Sequence, residues 1–151
     1  MTSNQSELQQ TLKRWTLFLG VLQITAGCVI GLVPPSAVAW YRGMVMSHIE
    51  FVMNGIMMIA FGFLVSELAL GARALKVWFA TLQMGTWFNG MAGLVGALIG
   101  FSSALMPTLN EKFPAPNGPD HPAVTTFLQV CGISILIALV LTLVGLGRKR
   151  S

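Results

Sequence analysis

Charged side chains are scarce in this sequence. Asp, Glu, Lys and Arg make up 9% of its 151 residues, whereas hydrophobic residues make up 54%. Soluble domains carry about 25% charged residues, so this chain has too few charges to cover the surface of a water-soluble core. Its net charge of +4 comes from positive residues clustered between apolar runs. We interpret those clusters as membrane flanks rather than as a nucleic-acid surface.

Cysteine and histidine are also few. Cys28 and Cys131 lie in different apolar runs, which fits neither a disulfide framework nor a Cys-x-x-Cys motif. We expect both to be buried, as free cysteines usually are. The two histidines, His48 and His121, exclude a zinc site, which takes three or four protein ligands that the helices do not offer.

Long apolar runs dominate the rest of the chain. Each is long enough to cross a hydrocarbon core, which takes roughly 20 residues, and backbone groups in lipid must pair internally, so we predict four membrane helices. A proline-rich segment over residues 106–122 predicts an irregular outer loop. The expected fold is all-α, an integral membrane four-helix bundle in one transmembrane domain (residues 1–151), with helices at about 15–33, 44–70, 74–105 and 123–146.

The positive residues predict the orientation. Seven lie at the two chain ends or between the second and third runs, and two lie in the other connections. Because cytoplasmic segments carry the excess of Lys and Arg, we predict that both termini are cytoplasmic. The seven are Lys13, Arg14, Arg73, Lys76, Arg148, Lys149 and Arg150, and the two are Arg42 and Lys112.

Polar residues interrupt the second and third helices. "SHIEFVMNG" places His48, Glu50 and Asn54 on the second, and "QMGTWFNG" places Gln83, Thr86, Trp87 and Asn89 on the third. Ionisable groups inside a membrane are costly and indicate function by default. The alternative is that the amides only bond one helix to another.

Helical geometry separates these groups. Successive residues turn by about 100°, so Glu50, Asn54 and Met57 share one face and His48 points roughly 120–160° away from it. One helix therefore presents His48 and Asn54 on its two flanks. In a ring of identical subunits, each helix would serve two sites between neighbours.

Two features are compatible with a planar, apolar ligand. Small residues on the third helix, including Gly93, either let another helix approach or leave a flat slot for a planar cofactor. Methionines around Met57 would give an adaptable lining. A single intramembrane histidine would leave a haem iron with an open position, as in binding and catalytic haem proteins, although no spacing in the sequence demands haem.

The two motifs resemble those of bacterial hydroxylaminobenzene mutases, which are small four-helix membrane proteins. That family has a His-x-Glu-x-x-x-Asn-Gly segment and a later Gly-Thr-Trp/Tyr-x-Asn segment. The architecture is also similar to that of styrene oxide isomerase, a trimeric enzyme of the membrane that uses ferric haem b. The resemblance covers the second to fourth helices and implies a multi-pass protein of the bacterial inner membrane.

Carried over by residue, the resemblance makes His48 the axial iron ligand. It places Asn54 and Asn89 in the pocket, assigns Met57, Trp87 and Gly93 to haem binding, and implies a homotrimer. Styrene oxide isomerase has a pocket tyrosine four residues after the second asparagine, where this chain has Gly93. This difference favours the mutase branch.

The implied reaction is an isomerisation of a small aromatic substrate. Such a reaction needs no co-substrate, and the chain has neither a nucleotide-binding glycine loop nor a nucleophile elbow. We expect conversion of an arylhydroxylamine to a 2-aminophenol, with ferric iron as Lewis acid, Asn54 and Asn89 fixing the substrate, and Glu50 moving the ring proton. The alternatives are an epoxide isomerase that forms aldehydes, and a non-enzymatic transporter or scaffold subunit.

Overall fold

The computed structural model describes residues 3–148, and their secondary structure is helical apart from one isolated β-bridge between Phe101 and Gly118. The predicted all-α class is confirmed. The α-helices number five in the described residues, and the fourth has only six residues. They are α1 Ser3–Gly31, α2 Tyr41–Leu64, α3 Ala72–Ile99, α4 Pro107–Lys112 and α5 Pro122–Gly147, with short 3₁₀ turns at Pro35–Ala37 and Val65–Glu67.

Three segments are long and apolar enough to cross a membrane: Asn4–Gly31, Tyr41–Glu67 and Pro122–Gly147. They mark the chain as a membrane protein. The predicted count of four membrane helices is not confirmed, because α3 is not among these segments. Arg73, Lys76, Gln83 and Asn89 lower its mean hydropathy. Lys149 and Arg150, on which the predicted orientation partly rests, lie outside the described residues.

The four long helices pack in the order of the chain. α1 packs on α2, α2 on α3 and α3 on α5, while α1 touches α3 only slightly. Within residues 3–148, α3 is the long helix against which α5 packs, and α5 has little contact with α1 or α2. The predicted bundle is therefore an open row in which α2 and α3 are the inner members.

Hydrogen bonds near the two ends of α3 show that it runs antiparallel to both α2 and α5. The Trp40 backbone N–H, at the start of α2, donates to the Ala97 carbonyl near the end of α3 (3.0 Å). The Ala69 N–H, just before α3, donates to the Gly145 carbonyl near the end of α5 (2.9 Å). Two turns into α3, the Trp78 indole N–H donates to the Thr142 hydroxyl near the end of α5 (2.9 Å). α3 therefore runs nearly the full length of both neighbours.

Several helix boundaries differ from the predicted ones. α1 begins at Ser3 rather than near Trp15, because the polar stretch before Trp15 consists largely of good helix formers such as Gln, Glu, Leu and Lys. α3 ends at Ile99 rather than near Leu105, because Gly100 adopts φ +72° and terminates it with a left-handed cap.

The loop over residues 106–122 is more ordered than predicted. α4 lies inside it with Pro107 in its first turn, a position that suits proline because the missing N–H has no helical partner there. Asp120 accepts hydrogen bonds from the Thr125 hydroxyl (2.6 Å) and the Ala104 N–H (2.9 Å). These bonds hold the pKa of Asp120 below its usual value. The loop is thereby fixed to the start of α5.

Candidate functional site

His48 lies on α2 and faces α1. Its Nδ1 is 2.7 Å from the Gly27 carbonyl oxygen of α1. A carbonyl can only accept, so Nδ1 carries a proton, and in the neutral imidazole Nε2 then keeps its lone pair. Metal-ligating histidines typically bond a backbone carbonyl or carboxylate through the other nitrogen, which fixes the ring and raises its basicity. The His48 contact with Gly27 has this same form, with Nε2 as the remaining ring nitrogen.

Glycine makes room for this ring. A Cβ placed on Gly31 would lie 2.7 Å from His48 Nδ1, and one placed on Gly27 would lie 3.1 Å from the His48 carbonyl oxygen. Real Cβ atoms essentially never lie as close as 2.7 Å to an atom of a residue elsewhere in the chain. α1 therefore supplies both the acceptor for the imidazole and the space that the imidazole occupies.

An apolar cleft of about 290 Å³ opens beside His48. The end of α1 and the first turns of α2 form its walls, and Tyr41 supplies a hydroxyl. The prediction that both cysteines are buried is wrong for Cys28, which is exposed along this cleft, while Cys131 is half-buried. The lining residues are Cys28, Ile30, Gly31, Leu32, Val33, Tyr41, Met44, Val45 and His48.

Glu50 and Asn89 form a pair between α2 and α3. The Asn89 amide Nδ2 donates a short hydrogen bond to Glu50 Oε2, and both side chains are half-buried. The bond leaves Oε1 of the carboxylate for another partner. The sequence motifs predicted both residues as site residues, and the structure brings them into direct contact.

Asn54 lies one turn further along α2 and is 8% exposed. Its Nδ2 donates to the Thr86 carbonyl of α3 (3.2 Å). Gln23 of α1, which is fully buried, donates from Nε2 to the Thr86 hydroxyl (3.1 Å), while its Oε1 has no partner. Sequence reasoning missed Gln23, although a glutamine inside the first apolar run was a usable signal.

The three other residues assigned to haem binding do not line the cleft beside His48. Trp87 of α3 is half-buried and packs edge-on against Phe51, with ring centroids 5.7 Å apart. Met57 is half-buried on α2. A Cβ on Gly93 would lie 2.9 Å from the Ser47 backbone nitrogen, so this glycine is used for close packing of α2 against α3.

The polar groups therefore fall on two flanks of α2. His48 faces α1, whereas Glu50 and Asn54 face α3, as the 100° spacing predicts. No group of three or more His, Cys, Asp or Glu side chains that could hold a metal ion occurs in residues 3–148. A metal at His48 would thus have one side-chain ligand from this chain, which suits a haem iron.

The fold and these groups define a helical membrane protein with a ligand-type imidazole on one flank and a carboxylate–amide pair on the other. Residues 12–147 match the family model described as styrene oxide isomerase. The chain belongs to the styrene oxide isomerase family.

A curated relative is the hydroxylaminobenzene mutase HabB of Ectopseudomonas oleovorans. It is 32% identical over 107 residues, which are 71% of this chain and 65% of HabB. The match thus spans less than two thirds of that relative's length. No solved structure matches the chain at a significant level.

Proposed function

We propose that the protein is a membrane isomerase that converts an arylhydroxylamine to a 2-aminophenol, with ferric haem b bound through His48. The family match and the similarity to HabB support an isomerase. The observation that carries the proposal is the His48 imidazole, whose Nδ1–H is taken by Gly27 and which borders an apolar cleft.

The residues present fit a haem. Nε2 of His48 is the nitrogen left for the iron, and the cleft walls are almost wholly apolar, as the faces of a porphyrin require. Bound ferric haem would supply a Lewis acid with an open coordination position. Tyr41 lies at the start of α2, at the outer end of the same cleft.

Glu50 is the proton carrier in this proposal. When the N–O bond breaks and oxygen bonds to the ring carbon beside the nitrogen, that carbon must lose a proton and the nitrogen must gain one. A carboxylate within reach accepts the first proton and returns one to the nitrogen. Asn89 holds Glu50 by donating to Oε2, so that Oε1 is the atom that takes the proton. The low-dielectric surroundings also keep water away from a reactive aromatic intermediate.

His48 and Glu50 lie on opposite flanks of one helix, so one substrate cannot contact both within a single chain. The proposed site therefore combines His48 of one copy with Glu50, Asn54 and Asn89 of a neighbour. In this proposal the site is complete only in an oligomer, such as the trimer that the resemblance implies.

The second candidate is an epoxide isomerase, which the family description favours. The residue at position 93 supports the mutase. A pocket tyrosine there would begin with a Cβ 2.9 Å from the Ser47 nitrogen, so α2 and α3 would have to separate to admit it. An arylhydroxylamine brings its own N–H and O–H donors, which the two asparagines and Glu50 can accept. A non-enzymatic transporter or scaffold would explain Glu50 but not the arrangement of His48.

The haem assignment is tested by the absorption spectrum of the purified protein. We expect a Soret band in the wild type, its loss in His48→Ala and its retention in His121→Ala. His121 is the matched control because its Nδ1 accepts from the Ala123 N–H at the start of α5 (3.2 Å), outside the cleft. Equal haem content in the two variants would contradict the assignment, and a colourless wild type would favour the transporter or scaffold.

The reaction is tested by comparing kcat/KM for hydroxylaminobenzene and styrene oxide on haem-loaded protein in detergent. We expect hydroxylaminobenzene to react faster. Glu50→Gln should lower kcat by about 10²–10⁴-fold, the usual contribution of a general acid or base, with the haem spectrum unchanged. Glu111→Gln, on the exposed face of α4, is the control. Faster turnover of styrene oxide would show that the mutase assignment is wrong.

A further inference from the structure

A second cleft, of about 430 Å³, lies on α1 far from His48. Thr11, Arg14, Trp15 and Phe18 line it. Their spacing of three, four and seven residues places them on one helix face. The opposite face of α1 carries the buried Leu12, Thr16 and Gln23, so the cleft faces away from the other helices.

Polar and aromatic side chains occupy different ends of this cleft along α1. The Thr11 hydroxyl and the Arg14 guanidinium lie towards the N-terminus, and both residues are exposed. Trp15 and Phe18 follow, 52% and 58% exposed, with their rings edge to face at 5.8 Å. From Thr11 to Phe18 the helix rises by about 10 Å, which crosses the boundary between the polar N-terminal stretch and the apolar run.

Arg14 is a cation without a protein partner. Within residues 3–148 no carboxylate pairs with it. Its neighbour Lys13 differs, because the Lys13 Nζ lies over the Phe63 ring of α2, 5.7 Å from the centroid. A guanidinium beside an exposed hydroxyl is suited to a phosphate group, which it binds through two parallel hydrogen bonds.

We propose that this α1 cleft binds one anionic phospholipid from the surrounding bilayer. Arg14 and Thr11 bind its phosphate, and Trp15 and Phe18 contact the glycerol and the first methylenes of its acyl chains. Aromatic residues at this depth match the interfacial belt of membrane proteins. The site is independent of the proposed reaction, because it lies on the flank of α1 that does not contribute to the His48 cleft.

The test measures lipid binding to the purified full-length protein after delipidation in an uncharged detergent. The probes are phosphatidylglycerol, phosphatidylcholine and inorganic phosphate, and the readouts are bound lipid by native mass spectrometry and the shift in Tm. We expect phosphatidylglycerol to bind and raise Tm, with phosphatidylcholine and phosphate giving smaller effects. Arg14→Gln should weaken phosphatidylglycerol binding roughly tenfold or more, since it removes charge-assisted hydrogen bonds.

Lys13→Gln is the matched control because it removes the same charge one residue away, outside the cleft. It should keep most of the binding, and Arg14→Lys should restore part of it. Equal losses in Lys13→Gln and Arg14→Gln would overturn the site, because they would show attraction by net charge alone. Equal effects of phosphatidylcholine or of inorganic phosphate would also overturn it. A change of oligomeric state in Arg14→Gln would assign the cleft to a second copy of the chain instead.

Discussion

At the scale of single residues, the feature on which the proposed cofactor site depends is the missing side chain of Gly31. The His48 ring occupies the space where a Cβ would lie, 2.7 Å from Nδ1. The hydrogen bond to the Gly27 carbonyl requires the ring to stay in that position. A residue that supports a ligand in this way contributes to metal affinity without touching the metal.

We therefore predict that Gly31→Ala weakens haem retention by about tenfold or more, the lower end of the range for residues that support a metal ligand. The methyl group displaces the imidazole and breaks its bond to Gly27. Haem content and the position of the Soret band measure the effect. Gly132→Ala is the control, since nothing lies within 4 Å of a Cβ there. Unchanged haem binding in Gly31→Ala would show that the ring is not held by α1.

Residue-level predictions from the sequence succeeded where geometry is local. A fixed turn per residue placed His48 and Asn54 on different flanks of α2, and the structure confirms this. The role of Gly27 was not predictable, because a backbone carbonyl has no signature in the sequence and its contact with His48 spans 21 positions. The missed role of Gln23 has a similar cause, since its partner Thr86 is on another helix.

At the scale of elements, the polar start of α1 acts as a clamp on the turn between α2 and α3. The Gln9 amide Nε2 donates to the Val65 carbonyl (3.1 Å) and the Leu68 carbonyl (3.0 Å), and Gln9 is buried. Gln5 adds a bond to the Leu70 carbonyl (2.7 Å). These carbonyls lie where α2 has ended and α3 has not begun. The Val65 and Leu68 carbonyls each also accept a backbone N–H, from Leu68 (3.3 Å) and Leu70 (2.9 Å), so Gln9 supplies a second hydrogen bond to each.

We predict that Gln9→Ala lowers the free energy of unfolding by about 1–3 kcal/mol, because it removes two buried hydrogen bonds that contribute about 0.5–1.5 kcal/mol each. Denaturation in detergent measures the change. Gln10→Ala is the matched control, since Gln10 is exposed on the same helix, and we expect it to change stability by less than about 0.5 kcal/mol. If both variants are equally stable, the clamp contributes nothing to the fold.

Sequence patterns located the long helices but not all of their ends. Hydrophobic runs show where a helix meets lipid, whereas α1 continues into polar sequence because its amides bond to another element. Conversely, the apolar residues after Ile99 suggested a longer third helix. The left-handed Gly100 stops it, and the Asn117 side chain then bonds to the Ile99 carbonyl (2.7 Å). Gly100 was a usable signal for the end of α3, but the apolar residues on both sides of it favoured a longer helix.

At the scale of the whole molecule, the number of membrane crossings depends on whether α3 spans the membrane. It is less apolar than the three segments long and apolar enough to cross. However, its ends lie beside the ends of α2 and α5, as the Trp40–Ala97 and Ala69–Gly145 bonds show. We expect a helix that extends as far as two candidate membrane-spanning neighbours to cross with them. Its Thr86 is buried and its Gln83 and Asn89 are half-buried, whereas Arg73 and Lys76 are exposed near its start.

We therefore predict four crossings, with both termini in the cytoplasm. Reporter fusions at the N- and C-termini, together with one in the outer loop near Asn110, measure this directly. The two terminal fusions should report the cytoplasm and the loop fusion the opposite side. Termini on opposite sides would show that α3 does not cross, and the packing of α3 between its neighbours would then have to be reinterpreted.

The open row has a consequence for the order of folding. Each long helix packs against the long helix synthesised just before it, and α1 and α5 have little contact with each other. Contacts between chain neighbours close short loops, which favours rapid folding. Each helix can therefore find its partner as it leaves the ribosome, so α1 and α2 can pair before α5 has been translated.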